Sequence, residues 1–396
     1  MNNLSQHNIC PVCGSSHFEV FFEMLEMPIF CNVLWPEQKA AQNCDKGDIK
    51  LAFCSSCGFI GNVAFDSSLL DYTQAYENSL DFSPKFQEYS LSLAKRLIES
   101  HYLHKKDIVE IGCGKGYFLL SLCELGNNRG VGFDPTYVPL SEHEKVKDKV
   151  TFVQDYYSEK YAYSDSNFVA CRHVLEHIPQ PNTMVESLRR AIGSRLQTTI
   201  FFEVPNALDT FHNMAIWDII YEHCCYFTSV CLSYVFTSNG FQVKQTSEEF
   251  GGQFLCLEAV PGVSTKEKTK QQSIDLQQLT QDIQKFSSRF ASKVEAWQSK
   301  LEYITSKNQR TVVWGAGSKG VTFLNLLKNR NDIEFIVDLN PRKQGMYVAG
   351  TGQRIVPPSF LQEYQPELII LMNRVYEQEI RQMAADMGIS AEFICV

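Results

Sequence analysis

Short apolar runs alternate with segments of helical periodicity over most of the chain. Between residues 69 and 262, runs typical of buried strands lie at 107–112, 130–134, 151–153, 167–170 and 199–204. The segment 117–125, after the first of these strands, has the pattern of a helix. Strands that alternate with helices predict βαβ units and a parallel sheet covered by helices on both faces.

The chain on either side of this region has a different pattern. Residues 1–68 are turn-rich and lack helical periodicity, whereas 263–308 contain many Gln, Lys, Ser and Glu residues. Leu276, Leu279, Ile283 and Phe286 are spaced for one face of a long amphipathic helix that would bridge two domains. From residue 309 to 396 the βα alternation resumes, with predicted strands at 311–314, 333–338 and 367–372 and a helix ending at 327. We therefore predict three folded units and one helical linker.

Composition narrows the class of protein. The 396 residues are 44% apolar and 20% charged, as in an ordinary globular protein, which excludes a disordered or fibrous chain. The net charge of −9 makes a nucleic-acid partner unexpected. No apolar run approaches the roughly 18 residues of a membrane span, and the polar first residues do not resemble a signal peptide. We expect a cytoplasmic protein with no membrane partner, and a monomer.

Four of the fourteen cysteines form two C-x-x-C pairs near the start of the chain. Cys10 and Cys13 form the first pair, and Cys54 and Cys57 form the second; a glycine follows each pair. Zn²⁺ prefers four thiolate or imidazole ligands in a tetrahedron, so the pairs predict a structural zinc site without an open coordination position. Two redox-active or simply buried cysteine pairs are the alternative. Cys31 and Cys44, in the intervening loop, are possible substitute ligands.

A glycine-rich loop follows the first strand of the central region. Its sequence is Glu110-Ile-Gly112-Cys-Gly114-Lys-Gly116, and such a loop lets a ligand approach the backbone closely. Asp134 ends the next strand, where a carboxylate can accept hydrogen bonds from both ribose hydroxyls. Asp155 follows the third strand and can accept one from an adenine amino group. This set resembles the cofactor-binding motifs of class I S-adenosylmethionine (SAM)-dependent methyltransferases.

The whole chain resembles the three-part sugar C-methyltransferases. These residues carry the resemblance: the two cysteine pairs, Tyr76-Glu-Asn-Ser79, Phe168-Val-Ala-Cys-Arg-His173-Val-Leu-Glu176-His177, Glu203-Val-Pro205, Tyr221-Glu222-His223, Gly315-Ala-Gly-Ser-Lys319-Gly320 and Asp338-Leu-Asn-Pro-Arg-Lys343. The resemblance implies an α/β fold, in which a class I methyltransferase sheet is flanked by an N-terminal zinc lobe and a C-terminal Rossmann-like domain. Its domain limits would be 1–68 for the zinc lobe, 69–262 for the methyltransferase domain, 263–308 for the helical linker and 309–396 for the C-terminal substrate-binding domain.

The resemblance also implies a reaction. Members of this family methylate a ring carbon next to a ketone in a nucleotide-linked 4-keto-6-deoxy sugar, which requires an enolate and therefore a base. His223 is the candidate base and His177 the second candidate. Glu222 is a candidate to orient His223 or a sugar hydroxyl. Tyr76 and Tyr221 are candidate donors to the enolate oxygen or the nucleotide phosphate. Each histidine could instead be structural, and Tyr76 could simply pack the lobe onto the central domain.

One position departs from the family pattern and keeps other functions open. The family box usually reads Tyr-His-Glu-His, whereas this chain has Ile220-Tyr221-Glu222-His223. An O- or N-methyltransferase of another small metabolite therefore remains an alternative, as does a non-catalytic SAM-binding protein.

The C-terminal unit contains its own glycine loop. Gly315-Ala-Gly317-Ser-Lys-Gly320 matches G-x-G-x-x-G, and Asp338 follows about twenty residues later, as in NAD-binding sites. Because the unit is too short for a complete dinucleotide fold, we favour a domain that holds the nucleotide part of the substrate or closes the cleft. Lys319 and Lys343 are candidate phosphate contacts or ordinary solvated lysines.

Overall fold

The computed structural model describes residues 9–70, 76–139, 148–161, 166–267, 269–328 and 332–396. Among these residues, the strands form three sheets of four, seven and five strands. The elements of the first sheet are β1 (Phe18–Pro28), α1 (Gln38–Gln42), β2 (Lys46–Cys54) and β3 (Ile60–Asn62). Its fourth strand, β9 (Cys225–Tyr226), comes from the middle of the chain and pairs with β3.

The seven-stranded sheet has the order β10-β11-β8-β7-β4-β5-β6. Its strands are β4 (Asp107–Ile111), β5 (Arg129–Phe133), β6 (Val150–Val153), β7 (Phe168–Arg172), β8 (Thr199–Pro205), β10 (Phe241–Glu249) and β11 (Phe254–Pro261). The helices of this region are α2 (Pro84–His101), α3 (Tyr117–Gly126), α4 (Pro181–Ile192), α5 (Ala207–His212) and α6 (Ser229–Ser238). The sheet positions the loop after β4 and the turn after β7 side by side, because these two strands are parallel neighbours.

The third sheet is parallel, with the order β14-β13-β12-β15-β16. Its elements are β12 (Thr311–Trp314), α8 (Ser318–Leu326), β13 (Phe335–Val337), β14 (Arg354–Val356), α9 (Leu361–Tyr364), β15 (Leu368–Leu371), α10 (Glu377–Asp386) and β16 (Glu392–Cys395). The predicted βα alternation after residue 309 is confirmed.

The predicted amphipathic linker is the helix α7 (Lys270–Ser306), which begins at a capping box formed by Thr269 and Gln272. The ring of Phe286 in this helix packs against the rings of Phe22 in β1 and Phe211 in α5, with centroid distances of 5.4 and 4.9 Å. Further along, Trp297 packs against Phe323 of α8 at 5.2 Å. Because these contacts belong to one buried apolar cluster, α7 joins the first and third sheets and the helices α5 and α6 of the central region through a common core.

The structure corrects two expectations about the strands. The N-terminal region, expected to consist of turns, contains the long antiparallel pair of β1 and β2. Its register shifts between Val20 and Phe22 and again between Met24 and Met27, so the apolar residues do not alternate regularly. The central sheet is mixed, because β11 runs antiparallel to both of its neighbours, β8 and β10.

The predicted domain limits stay predictions. One pairing crosses them, because β9, which lies within the predicted methyltransferase domain, pairs with β3 of the N-terminal sheet. In the part of the chain that the structure describes, every helix is too short or too polar to cross a bilayer.

Candidate functional site

The glycine loop between β4 and α3 is a tight turn that only glycine accommodates. Gly112, Gly114 and Gly116 have φ angles of 69°, 52° and 83°, in the left-handed region. A Cβ atom at Gly112 would lie 2.1 Å from Cγ2 of Val174, which shows that the turn after β7 packs directly on this loop. A Cβ atom at Gly114 would meet no atom within 4 Å, so the loop leaves open space at that position.

Glu110 lies in β4 just before this loop and is buried, with 3% of its surface exposed. Its Oε2 atom has no hydrogen-bond partner in the described structure. Burial raises the pKa of its carboxyl group to about 8, against the opposing effect of Arg172. A buried carboxylate oxygen without a donor, next to an open loop, fits a polar or cationic ligand such as the amino-acid part of SAM.

Asp134, the first residue after β5, contacts the same loop. Its Oδ2 accepts a hydrogen bond from Gly114 N at 2.8 Å. Its Oδ1 accepts from the backbone N and the hydroxyl of Thr136, at 2.8 and 2.6 Å. The structure thus places Asp134 at the glycine loop, as the sequence predicts.

Asp155 is more exposed than Glu110, and its carboxylate already accepts two short hydrogen bonds. Its Oδ2 accepts hydrogen bonds from Lys160 Nζ at 2.7 Å and from the Tyr161 hydroxyl at 2.6 Å. These two donors lower the pKa of its carboxyl group to about 2. A ligand that uses Asp155 must therefore share it with Lys160 and Tyr161.

The turn after β7 brings a glutamate and a histidine beside the loop. His173 has a φ of 53°, which is strained for a residue other than glycine, and residues 175–177 form a short 3₁₀ helix. Glu176 is 1% exposed, and neither carboxylate oxygen has a hydrogen-bond partner in the described structure. One ligand atom from each of Glu176, His177 and His223 lies within 4.8 Å of the others.

His223 and Glu222 reach this cluster from the segment before β9. The rings of His223 and His177 meet edge to face, with centroids 4.9 Å apart. Burial and the neighbouring His177 lower the pKa of His223 to about 3. The His223 imidazole is therefore neutral at physiological pH.

Glu222 is fully buried and links three parts of the chain. Its Oε2 accepts a hydrogen bond from Cys31 N at 2.8 Å, and its backbone oxygen lies 2.9 Å from Nδ1 of His177. Burial raises the pKa of its carboxyl group, and a side-chain hydrogen bond with Tyr76 partly offsets this. The structure therefore brings together Tyr76, His177, Glu222 and His223.

Tyr221 lies apart from the group formed by Tyr76, His177, Glu222 and His223. Its ring is buried in the N-terminal lobe, 5.5 Å from the ring of Phe65, and a Cβ atom at Gly47 would lie 2.4 Å from it. Its hydroxyl accepts a hydrogen bond from Asp66 N at 2.9 Å. The contacts of Tyr221 are those of a structural residue, so the structure does not join it with the other four candidates.

A charged network behind the turn, centred on the buried Glu203 of β8, was not predicted from the sequence. Arg172 Nε donates to Glu203 Oε1 at 2.9 Å, His173 Nε2 lies 3.0 Å from the same atom, and the Tyr89 hydroxyl donates to Oε2. Although burial opposes ionisation, Arg172 and His173 lower the pKa of Glu203 to about 2. Burial likewise disfavours the charged form of His173, but its acidic neighbours Glu176 and Glu203 raise its pKa to about 9. The signal in the sequence that could have indicated this network is a charged residue in each of two otherwise apolar strands, Arg172 in β7 and Glu203 in β8.

The two C-x-x-C pairs meet in space. Cys10 Sγ is 3.6 Å from Cys57 Sγ, Cys13 Sγ is 3.6 Å from Cys54 Sγ, and all four sulfur atoms lie within 4.8 Å of one another. A tetrahedron of sulfur atoms with Zn–S distances of about 2.3 Å has edges of about 3.8 Å, so this geometry is compatible with zinc. Neither Cys31 nor Cys44 belongs to this group.

The lysines of the C-terminal unit are engaged with other parts of the chain. Lys319 forms an ion pair with Asp218. Lys343 is 6% exposed, and its Nζ donates to Oδ1 of Asn32 at 3.0 Å and to the backbone oxygen of Ala316 in the glycine loop at 3.2 Å. The interpretation of Lys343 as an ordinary solvated lysine is therefore wrong.

Replacement of Gly112 with alanine tests whether the loop needs its shape to bind a cofactor. We expect Gly112→Ala to weaken S-adenosylhomocysteine binding at least tenfold in calorimetry, because the new methyl group collides with Val174. Gly388→Ala is a matched control, since Gly388 has a φ of 74° and open space around it. Equal affinity in Gly112→Ala and the wild type would contradict this role of the loop.

The raised pKa of Glu110 predicts a pH dependence of stability. Between about pH 5 and pH 8 the native Glu110 retains a proton that the unfolded chain has lost, so the free energy of unfolding falls as the pH rises. We expect Glu110→Gln to lose this component, which is on the order of 4 kcal/mol over these three pH units at about 1.4 kcal/mol per unit. Urea unfolding of both proteins at the two pH values measures it. Parallel pH profiles would show that Glu110 has an ordinary pKa.

Two protein families match consecutive parts of the chain. Residues 85–246 match a methyltransferase domain, and residues 259–396 match a C-methyltransferase C-terminal domain. The first match contains the glycine loop and the Glu176, His177 and His223 cluster, and the second begins in β11 and contains α7 and the third sheet.

Two curated relatives share part of the chain. A tRNA U34 carboxymethyltransferase of Nautilia profundicola is 28% identical over 24% of this chain and 34% of its own length. One of Aliarcobacter butzleri is 27% identical over 27% of this chain and 38% of its own length. The chain thus spans just over a third of the curated relatives that it matches.

Solved structures of methyltransferases show a weaker likeness. The dimethyltransferase of N,N-8-amino-8-demethyl-D-riboflavin from Streptomyces davawensis is 15% identical, with a TM-score of 0.37 over 44% of this chain and 56% of that one. The magnesium protoporphyrin IX methyltransferase of Synechocystis PCC 6803, solved with bound S-adenosylhomocysteine, is 16% identical, with a TM-score of 0.36 over 47% of this chain and 89% of that one. TM-scores this low establish no relationship by themselves.

The family matches agree with the seven-stranded mixed sheet, its glycine loop and its acidic residues at the strand ends. They indicate that residues 85–246 form a methyltransferase domain with the class I SAM-dependent fold, and that residues 259–396 are similar to the C-terminal domain of C-methyltransferases.

Proposed function

We propose that this protein transfers the methyl group of SAM to a ring carbon next to a ketone in a nucleotide-linked deoxy sugar, through an enolate. The observation that carries the proposal is the contact between Val174 and Gly112, which joins the cofactor loop to the cluster of Glu176, His177 and His223. The match to a C-methyltransferase C-terminal domain supports carbon as the acceptor.

A carbon next to a ketone becomes nucleophilic only after it loses a proton, so the site needs a base. His223 takes this role in our proposal, because its imidazole is neutral and can accept a proton. Because the pKa of His223 is low, the positively charged imidazolium that forms after proton removal needs a nearby negative charge to stabilise it. The nearby Glu176, whose pKa is lowered by its histidine neighbours against the effect of burial, supplies a negative charge for that state.

Tyr76 and Glu222 position the sugar in this proposal. Both lie at the junction of the N-terminal lobe with the methyltransferase domain, where Glu222 is held by Cys31 N. The Tyr76 hydroxyl is a donor for the enolate oxygen, and such a donor stabilises charge that develops during the reaction. His177 remains the second candidate base.

The cofactor side of the site is assigned to the loop and its acids. In our proposal Glu110, Gly112, Gly114 and Gly116 hold the amino-acid part of SAM, while Asp134 and Asp155 bind its ribose and adenine. SAM, when bound, supplies an electrophilic methyl group. The protein contributes by excluding water and by fixing the acceptor carbon in line with that group.

The nucleotide part of the substrate is assigned to the C-terminal domain. Arg342 Nη1 forms an ion pair with Oε2 of Glu77, the residue that follows Tyr76 in the sequence, at 2.9 Å. The neighbouring Lys343 contacts Asn32 of the N-terminal lobe. These cations therefore border the junction that contains Tyr76 and Cys31. We propose that Arg342 contacts a phosphate of the substrate, in a protein that acts as a cytoplasmic monomer.

Exchange of the ring proton with deuterated solvent tests the enolate step. With a nucleotide-linked 4-keto-6-deoxy sugar and S-adenosylhomocysteine, we expect the wild type to catalyse exchange at the ring carbon that accepts the methyl group. His223→Asn should slow it about a hundredfold or more, the usual contribution of a general base. His212→Asn is a matched control, because His212 pairs with Asp282 of α7.

The outcomes separate the alternatives. Methylation without any exchange would favour an O- or N-methyltransferase. Exchange that His223→Asn leaves unchanged would show that another residue, with His177 the first choice, is the base.

We further propose that Cys10, Cys13, Cys54 and Cys57 bind a structural Zn²⁺. Cys54→Ala should leave the purified protein without zinc and lower its unfolding midpoint, because the ion closes the loop between the two pairs. Metal analysis and thermal unfolding measure both effects. Cys44→Ala, in the same lobe, should retain the zinc. Full zinc content in Cys54→Ala would contradict the assignment.

A further inference from the structure

The cluster of Glu176, His177 and His223 has the composition of a metal site separate from the four cysteines. Two imidazoles and one carboxylate are ligands that Zn²⁺ and its neighbours in the first transition series prefer. Their ligand atoms lie within 4.8 Å of one another. Ligands about 2.1 Å from one ion are about 3–4 Å apart, so small side-chain movements complete the geometry.

Glu176 gives independent evidence that the cluster is built for a ligand. It is 1% exposed, and both of its carboxylate oxygens lack a hydrogen-bond partner in the described structure. The nearest ion-pair atom is His173 Nδ1, at 3.6 Å from Oε1. Burial of a carboxylate is costly; the ion pair with His173 offsets part of that cost, and a bound cation would offset more.

The orientation of His177 also fits metal binding. Its Nδ1 lies 2.9 Å from the backbone oxygen of Glu222, which can only accept, so Nδ1 carries the proton. The lone pair of the neutral ring is then on Nε2. A histidine that binds a metal usually donates its other ring N–H to a carbonyl or carboxylate in this way.

Two further contacts hold the segments that carry the three ligands in place. Cys224 Sγ donates to the backbone oxygen of Glu176 at 3.4 Å, and Cys225 Sγ donates to that of Ile178 at 3.2 Å. The edge-to-face contact of the His177 and His223 rings completes the arrangement. These contacts fix the backbone segments that carry the three side chains.

We propose that Glu176, His177 and His223 form a second metal site, which binds one divalent ion of the Zn²⁺ and Co²⁺ class and leaves positions open for other ligands. One consequence rests on the proposed function: an ion that occupies the His223 lone pair blocks proton removal, so metal binding inhibits methylation.

Cobalt titration of the full chain tests the site. With the four-cysteine site filled with Zn²⁺, we expect calorimetry to show one further Co²⁺ per chain, and the near-ultraviolet spectrum of the complex should lack a thiolate-to-cobalt charge-transfer band. Glu176→Gln, His177→Gln and His223→Asn should each weaken this binding at least tenfold. His212→Asn should bind Co²⁺ like the wild type, since His212 lies outside the cluster.

Retained S-adenosylhomocysteine binding and zinc content show that each variant is folded, and three separate ligand variants keep the test valid if one of them is not. Absence of the additional Co²⁺ in the wild type, or equal binding in all variants, would overturn the proposal. Binding that leaves methylation unchanged would instead contradict the role of His223 as the base and leave the metal site standing.

Discussion

The turn after β7 can pack on the cofactor loop only because residue 112 has no side chain. A Cβ atom there would lie 2.1 Å from Val174, well inside the closest approach of two carbon atoms. The parallel pairing of β4 with β7 places the loop and the turn side by side, and the close approach of Val174 to Gly112 packs one directly on the other.

Buried charge organises the region around that contact. Arg172, His173 and Tyr89 converge on Glu203, so the strand ends carry a paired network in which Glu203 is ionised. Glu110, Glu176 and Glu222 are the exceptions, because each has at least one carboxylate oxygen without a hydrogen-bond partner among the residues that the structure describes. Buried groups of this kind are costly and are found mainly where a ligand or a reaction uses them.

The N-terminal lobe completes this arrangement through contacts distant in sequence. Cys31 N donates to Glu222, and β9 extends the N-terminal sheet immediately after His223. The core formed by α7 then joins the lobe to the C-terminal domain. The three parts of the chain thus meet around the candidate base.

Local patterns in the sequence predicted the elements that depend on local physics. Five strands of the central sheet, β4 to β8, follow from periodicity, as does the helix α7, while the glycine loop and the cysteine pairs follow from glycine chemistry and ligand spacing. The β1 strand was missed because its bulges disrupt the alternation of apolar residues. The place of Tyr221 and the role of Glu203 depend on contacts with Asp66, Arg172 and Tyr89, which are far away along the chain and leave no periodic signal.

The position of the transferred methyl group tests the central claim most directly. When the enzyme uses SAM labelled with ¹³C in its methyl group and a nucleotide-linked keto sugar, NMR of the product identifies the atom that carries the label. Our account predicts a methyl group bonded to a ring carbon next to the ketone. A label found on oxygen or nitrogen would contradict it.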